Sequence, residues 1–253
     1  MTISKKLTTV IIFCGINMPV WCQANQDANS ILALAKSSAL SNYEINIKAS
    51  SLIFNGREYL DPYVNKNLEG HLYFLSEDWL AGSIFYDGEV YSSVPLKFNL
   101  LNGKVIVENP QAIGDIELVS EKIKYFSIGS HLFIDPKTIQ LKRKIAPQAK
   151  FLDLLYEGKT SVVADRQKSF KKKEVDAQLV YEVWEQAHYF IIKDGDYIPV
   201  KSKSQVLKVL TDRKSDLKKF IIENKIRFQA DKEVALKRLI EKYNQIKDAD
   251  GQD

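Results

Sequence analysis

The stretch from Trp79 to Glu108 predicts three consecutive antiparallel strands, and this meander constrains the fold more than any other part of the sequence. Asp87-Gly88 and Asn102-Gly103 are dipeptides that tolerate positive φ, and each separates segments rich in β-branched and aromatic residues. Apolar residues recur along these segments at a spacing of two: Ile84, Tyr86, Val90, Val94, Leu96, Phe98, Val105 and Val107. One face of the meander is therefore apolar and must be covered.

Other strand-like segments follow at intervals of roughly ten residues, with turn residues between them. Asn55-Gly56 and Asp194-Gly195 predict two further hairpins, whereas the lysine-rich stretch from Lys168 to Lys173 predicts a surface link. This pattern favours a meander sandwich or a partly open barrel over alternating βαβ units. It predicts one β-rich domain over residues 25–201.

After Ser202 the apolar period changes from two to about 3.6, which predicts helices. Ser204, Ser215 and Asp231 are candidate caps for three of them. The third helix carries an apolar stripe at i, i+3, i+4 and i+7, formed by Leu236, Leu239, Ile240 and Tyr243. The sequence therefore predicts an α+β fold, mainly antiparallel β, with a basic helical segment over 202–247 packed on the sheet and a polar tail over 248–253.

The first 24 residues have the features of a signal peptide. Lys5 and Lys6 precede an uncharged run from Leu7 to Trp21, and Cys22-Gln23-Ala24 ends in the small residue that a signal peptidase reads. The run is too short for the roughly 20 apolar residues that span a bilayer. We expect cleavage after Ala24 and export to the periplasm or the extracellular space.

Both cysteines, Cys14 and Cys22, lie in this leader, so the mature chain is expected to contain no cysteine. Disulfides and cysteine-ligated metals are then excluded from the mature protein. No second long apolar run follows, so no transmembrane span is expected in the mature chain.

Basic charge is concentrated near the carboxyl end. Residues 201–247 hold 14 basic and 6 acidic side chains, an excess of 8, although the whole chain has a net charge of only +4. Such an excess is typical of contact with polyanions, but export argues against nucleic acid. The simplest interpretation is a solvated helix face, and the alternative is contact with an anionic envelope surface or with another envelope protein.

No familiar catalytic or cofactor motif is present. The three histidines, His71, His131 and His188, lie far apart in strand-like segments, and the sequence has no GxSxG, P-loop or GxGxxG motif. We therefore expect neither a metal nor a cofactor.

One weak candidate for a binding site lies in the meander. The paired carboxylates Glu77 and Asp78 precede Trp79, and Trp79, Tyr86 and Tyr91 are rings that could stack on sugars. Acidic residues at strand ends and aromatic residues in a β-core explain the same pattern without any ligand.

The order of NGREY, GHLYF, WLAGSIFYDGEVYSSVPL and FLDLLYEGK, followed by a lysine-rich helical end, resembles a family of secreted envelope proteins of Bacteroidetes-type bacteria. The resemblance covers most of the mature chain and consists of turns and aromatic residues. It implies an exported envelope protein, and it carries no known activity or binding residues.

Together these features favour an exported, non-enzymatic module that binds or scaffolds something in the cell envelope. Two alternatives stay open. The protein could carry an apolar ligand between sheet and helices, or it could be a hydrolase that acts on envelope carbohydrate.

Overall fold

The computed structural model describes residues 52–110, 114–139, 147 and 149–250. The predicted signal peptide and its cleavage site lie outside this part of the chain, as does the segment from Asn25 to Ser51.

Within the described residues, twelve strands form a single sheet. They are β1 (Arg57–Glu58), β2 (Asn67–Glu69), β3 (Leu80–Tyr86), β4 (Glu89–Asn99), β5 (Lys104–Val107), β6 (Ile116–Glu117), β7 (Ile123–Ile128), β8 (His131–Ile134), β9 (Leu152–Tyr156), β10 (Ser161–Val175), β11 (Gln178–Lys193) and β12 (Asp196–Val200).

The sheet is open and almost entirely antiparallel. Its order is β1-β6-β5-β4-β3-β7-β8-β9-β10-β11-β12, so β1 and β12 are opposite edges that do not pair with each other. The exception is β2, which leaves this order and pairs in parallel with the outer edge of β11. The predicted fold class, an α+β fold that is mainly antiparallel β, is confirmed, and its strands form one open sheet.

The central meander forms as the turn dipeptides predict. Asp87 (φ 52°) and Gly88 (φ 95°) make a two-residue turn between β3 and β4, which is why a residue without a side chain is needed there. The second turn is longer than a two-residue hairpin, because Asn99 pairs with Lys104 and four residues lie between them. Gly103, at φ 68°, closes that loop.

A β-bulge changes which side chains of β4 face the core. Gly82 pairs with Val94 and Ile84 with Tyr91, so β4 has one more residue than β3 between these pairs. The bulge contains Ser93, which adopts a φ of 55°. Beyond it the alternation is inverted, so Tyr91 packs against the core and Val90 is 57% exposed. The expectation that Val90 belongs to the apolar face is wrong for this reason.

Two other local predictions are also wrong. Asn55-Gly56 does not form a hairpin, because residues Leu52–Phe54 make a 3-10 helix and β1 pairs with the distant β6. The stretch from Lys168 to Lys173 is not a link but the middle of β10, whose 15-residue ladder with β11 ends in a tight turn at Asp176 and Ala177. That turn has no glycine, so the sequence carries no usual hairpin signal there.

The main core lies on the inner face of β3 to β8. Phe126 and Phe133 stack at a centroid distance of 4.9 Å, and Phe98 meets both rings edge-on. Phe74 and Phe151 come from outside the strands and contact the same group of rings. The apolar face of the meander is therefore covered by neighbouring strands and by these two inserted rings.

Three α-helices follow the sheet: α1 (Lys203–Val209), α2 (Lys214–Glu223) and α3 (Lys232–Asp250). Short 3-10 helices also occur at Ser120–Lys122, Pro136–Thr138 and Thr211–Arg213. The helix α3 continues to Asp250, three residues into the stretch that the sequence assigns to a polar tail.

The helices cover one face of the second half of the sheet. Leu236, Leu239, Ile240 and Tyr243, the predicted stripe of α3, are all buried in a cluster that also contains Val162 of β10 and Ile191 of β11. The predicted packing of the helical segment on the sheet is confirmed. Asp231 caps α3 as expected, whereas Ser202, not Ser204, caps α1.

Candidate functional site

A concave surface lies where the sheet ends and the helices begin. The chain leaves β12 at Lys201 and turns into α1, and the connection between α2 and α3 lies across from it. Between these segments is a cavity of about 950 Å³. We call it the basic groove, because four of its lining residues are Lys201, Lys203, Arg227 and Lys232.

These four cations have no acidic partner within the described part of the chain. By contrast, Lys193 and Lys247, which lie outside the groove, both approach Asp212. The two carboxylates closest in sequence to Lys232 are engaged elsewhere. Asp231 accepts the hydrogen bond of the Val234 backbone N–H, which caps α3, and Glu233 binds groups of the sheet. No acidic residue lines the groove itself, so its lining carries an excess of positive charge.

The α2–α3 connection is held in place by apolar anchors on either side of Arg227. Phe228 is buried in the helix cluster, Ile226 packs against the same cluster, and the backbone N–H of Ile226 donates to the carbonyl of Ile221. Arg227 itself is exposed. Its position at the groove is thus a consequence of the packing of its neighbours.

A second cavity of about 440 Å³ continues the basic groove along the sheet. It shares Lys201 and Lys232 with the groove, and its other wall is formed by Ala187 to Phe190 of β11 and by the end of β12. The Nζ atom of Lys232 lies 5.4 Å from the ring centroid of Tyr189, within the range of a cation–π contact. The positive surface therefore reaches the edge of β11.

A chain of charged groups beneath the groove fixes the first turn of α3. Glu233 accepts a hydrogen bond from the Tyr189 hydroxyl (3.0 Å) and another from Nη2 of Arg166 (2.8 Å). Nε of Arg166 donates to Oδ2 of Asp153 (2.7 Å), and Nδ1 of His131 lies 2.8 Å from the same oxygen. These bonds join α3 to the sheet.

The environment shifts the pKa values of two members of this chain. Burial raises the pKa of Tyr189, and the negative charge of Glu233 raises it further. Burial opposes the charge of Arg166, but its bonds to Glu233 and Asp153 outweigh that effect, so the pKa of Arg166 is raised. Tyr189 therefore stays neutral and Arg166 stays charged. Because Glu233 is the neighbour of Lys232, these hydrogen-bonded side chains also hold Lys232 at the groove.

The structure does not bring the three rings predicted for ligand stacking together on one surface. Tyr86 is buried in the main core, and Tyr91 lies on the same inner side. Trp79 precedes Leu80, whose partner Leu96 is a core residue, so alternation places Trp79 on the opposite face. There its ring contacts Lys97, whose Nζ lies 4.2 Å from the centroid.

The other candidate residues are also dispersed. Glu77 and Asp78 are not buried, and Asp78 bonds to Ser76; neither carboxylate lines the basic groove. In the described ranges, no group of three or more His, Cys, Asp or Glu is placed to hold a metal ion. None of the described helices is long and apolar enough to cross a membrane.

The sequence indicates that the carboxyl-terminal segment is basic, but it does not indicate which of its basic residues lie at one cavity. The excess of basic residues over 201–247 is the available signal. Which of them meet at one cavity depends on how α1 and the α2–α3 connection pack, because Lys203 and Arg227 are 24 positions apart in the sequence.

Comparison with known proteins identifies no relative of this chain. No protein-family model, no curated protein and no solved structure matches the chain.

Proposed function

We propose that this protein is an exported module of the cell envelope that binds an anionic partner in the basic groove and has no catalytic role. The observation that carries the proposal is the set of four cations around one cavity without an acidic partner among the described residues. Like charges held close together repel each other, so an anion in the groove would relieve that repulsion. Another envelope protein or an anionic envelope surface would supply such an anion.

The export half of the proposal rests on the leader sequence and on the resemblance to secreted envelope proteins. Mass spectrometry of the protein recovered from the periplasm or the medium should show a mature chain that begins at Asn25. A lipid-modified Cys22, or an uncut chain that stays in the cytoplasm, would contradict it.

The binding half can be tested with inorganic tripolyphosphate, a small probe with several negative charges. We expect binding that weakens as salt is added. We also expect the double variant Lys201→Gln/Lys232→Gln to bind at least about tenfold more weakly, which corresponds to about 1.4 kcal/mol.

The matched control is Lys218→Gln/Lys237→Gln, which removes the same charge from exposed positions of α2 and α3 outside the groove. The control should bind like the wild-type protein, and both variants should keep the wild-type melting temperature. An equal loss in both variants would show that tripolyphosphate responds only to overall charge, and the groove would then not be the site.

A second candidate function, transport of an apolar ligand, is favoured by a different cavity. A cleft of about 500 Å³ beside β9 has an aliphatic wall formed by Leu132, Ile134, Ile139, Leu154 and Ile192, and polar residues, among them Glu157 and Lys159, complete its lining. Saturable binding of a fluorescent fatty acid that Leu154→Lys abolishes would support this function. Weak, unsaturable binding that the variant leaves unchanged would exclude it.

A further inference from the structure

We propose that the natural ligand of the basic groove is an acidic peptide segment that binds in extended conformation, as an added strand on the outer edge of β11 between β2 and β12. This inference rests on the proposed function, because the same lysines receive the acidic side chains. It adds the chemical class of the partner and its mode of recognition.

The edge of β11 is open at this place. Strand β10 occupies one edge of β11, and on the other edge β2 pairs with residues 180–182 and β12 with residues 189–193. Between these two partners, residues 183–188 have no neighbouring strand in the described sheet. In an antiparallel strand, every second residue directs its N–H and C=O to the outer side, so this interval offers unpaired backbone groups.

The opening has the length of a short strand. Six residues span about 20 Å at roughly 3.3 Å per residue, and Gly70 lies beside Val183 at one end, so the free length suits a peptide of about five residues. The cavity of about 440 Å³ lies along Ala187 and His188, at the end of the opening nearest β12. At the other end β2 stops at Gly70, whose φ of 98° turns the chain.

The chain itself shows that this edge accepts an added strand. Residues Asn67–Glu69 pair in parallel with Val180–Glu182, although no tight turn joins the two segments. A peptide in the neighbouring interval would repeat this arrangement one step further along β11. Only a polypeptide has N–H and C=O groups at the spacing that such pairing requires, which favours a peptide over a lipid headgroup or a polysaccharide.

The charges select acidic side chains on one face of the peptide. Tyr189 packs with the helix cluster, so the alternation of β11 places Ala187 and Tyr189 on the helix-covered face, beside Lys201 and Lys232. Acidic residues at every second position of a bound strand would all point to that side. The one carboxylate on the open interval, Glu185, lies 3.6 Å from Lys168, which offsets its charge.

Two hexapeptides of equal charge test the proposal on the full mature protein. One alternates Glu with Val, and the other alternates Glu with Pro, which cannot donate the backbone hydrogen bonds of a strand. We expect the Glu/Val peptide to bind at least about tenfold more tightly, a difference of about 1.4 kcal/mol. Hydrogen exchange should show new protection within residues 183–188 only with the Glu/Val peptide.

Each result separates this inference from the proposed function. If both peptides bind equally and no amide of 183–188 gains protection, the added strand is wrong although the anion site stands. The added strand is equally wrong if tripolyphosphate or phosphatidylglycerol vesicles bind and the Glu/Val peptide does not. If none of these probes binds, the proposed function fails and this inference fails with it.

Discussion

The side chain of Asn244 on α3 forms hydrogen bonds with both backbone groups of Thr160. Its Oδ1 accepts from the Thr160 N–H (3.0 Å), its Nδ2 donates to the Thr160 carbonyl (2.7 Å), and both residues are buried. The helix thus completes the backbone hydrogen bonding of the β9–β10 turn. The turn leaves no spare space, since a Cβ atom added at Gly158 would lie 2.8 Å from Nδ2.

We predict that Asn244→Leu lowers the free energy of unfolding by about 2–6 kcal/mol, because two buried backbone groups would lose their partners at a cost of about 1–3 kcal/mol each. Chemical denaturation measures this loss. The exposed Gln245 on the same helix provides a control, and Gln245→Leu should be nearly neutral. Equal effects of the two changes would contradict the role assigned to Asn244.

Arg166 is the second link between sheet and helix, and its removal should be costly. Asp153 is 1% exposed, so Arg166→Leu would leave a buried carboxylate without its guanidinium partner. We expect a loss of about 3–5 kcal/mol in the free energy of unfolding. The double variant Arg166→Leu/Asp153→Asn should recover part of it, because the uncompensated charge is then gone. A double variant less stable than the single one would show that charge is not the cause.

Asp165 gives a prediction of pH dependence. Burial raises its pKa, although the Gln167 side chain and the charge of His188 act in the opposite direction. A carboxyl whose pKa is higher in the folded state destabilises the protein when it is ionised. The contribution of Asp165 to the free energy of unfolding is therefore fully present below the pKa of the unfolded state, about 3.9. It is lost as the pH rises through the pKa of the folded state.

Asp165→Asn should accordingly raise the melting temperature at pH 7, since it removes the buried charge and keeps an oxygen that can accept from Gln167. The advantage should shrink as the pH is lowered towards about 4, the ordinary pKa of the carboxyl group. Thermal unfolding of both proteins across this range is the measurement. A variant that is less stable than the wild type at pH 7 would mean that the carboxylate is needed there.

Removal of the helices should destabilise the sheet. A chain that ends at Ser202 would expose Val162, Ile191 and the other sheet residues that the helices now bury. Loss of the four stripe residues of α3 alone removes about 1.5–3 kcal/mol of burial energy for each, which is comparable to the net stability of a whole domain. We expect poor solubility and no cooperative melting. A soluble truncated chain with an unchanged melting temperature would make the helices an appendage.

Several parts of the fold could be predicted from local sequence. Asp87-Gly88 specifies a two-residue turn because both positions need positive φ, and the flanking residues alternate as a strand requires. The stripe from Leu236 to Tyr243 indicates a helix with one buried face, and the structure buries it. These features depend on residues at most a few positions apart, so composition and spacing suffice to predict them.

Other features depend on contacts between distant segments, which no local pattern encodes. The bulge at Ser93 turns Val90 outward and Tyr91 inward, because pairing with β3 and not the spacing of apolar residues sets the alternation. Lys168, in a stretch that suggests a solvated link, is buried and donates to the carbonyl oxygens of His71 and Tyr73. The basic groove arises in the same way: its cations belong to segments that meet only after α1 and α3 have packed on the sheet.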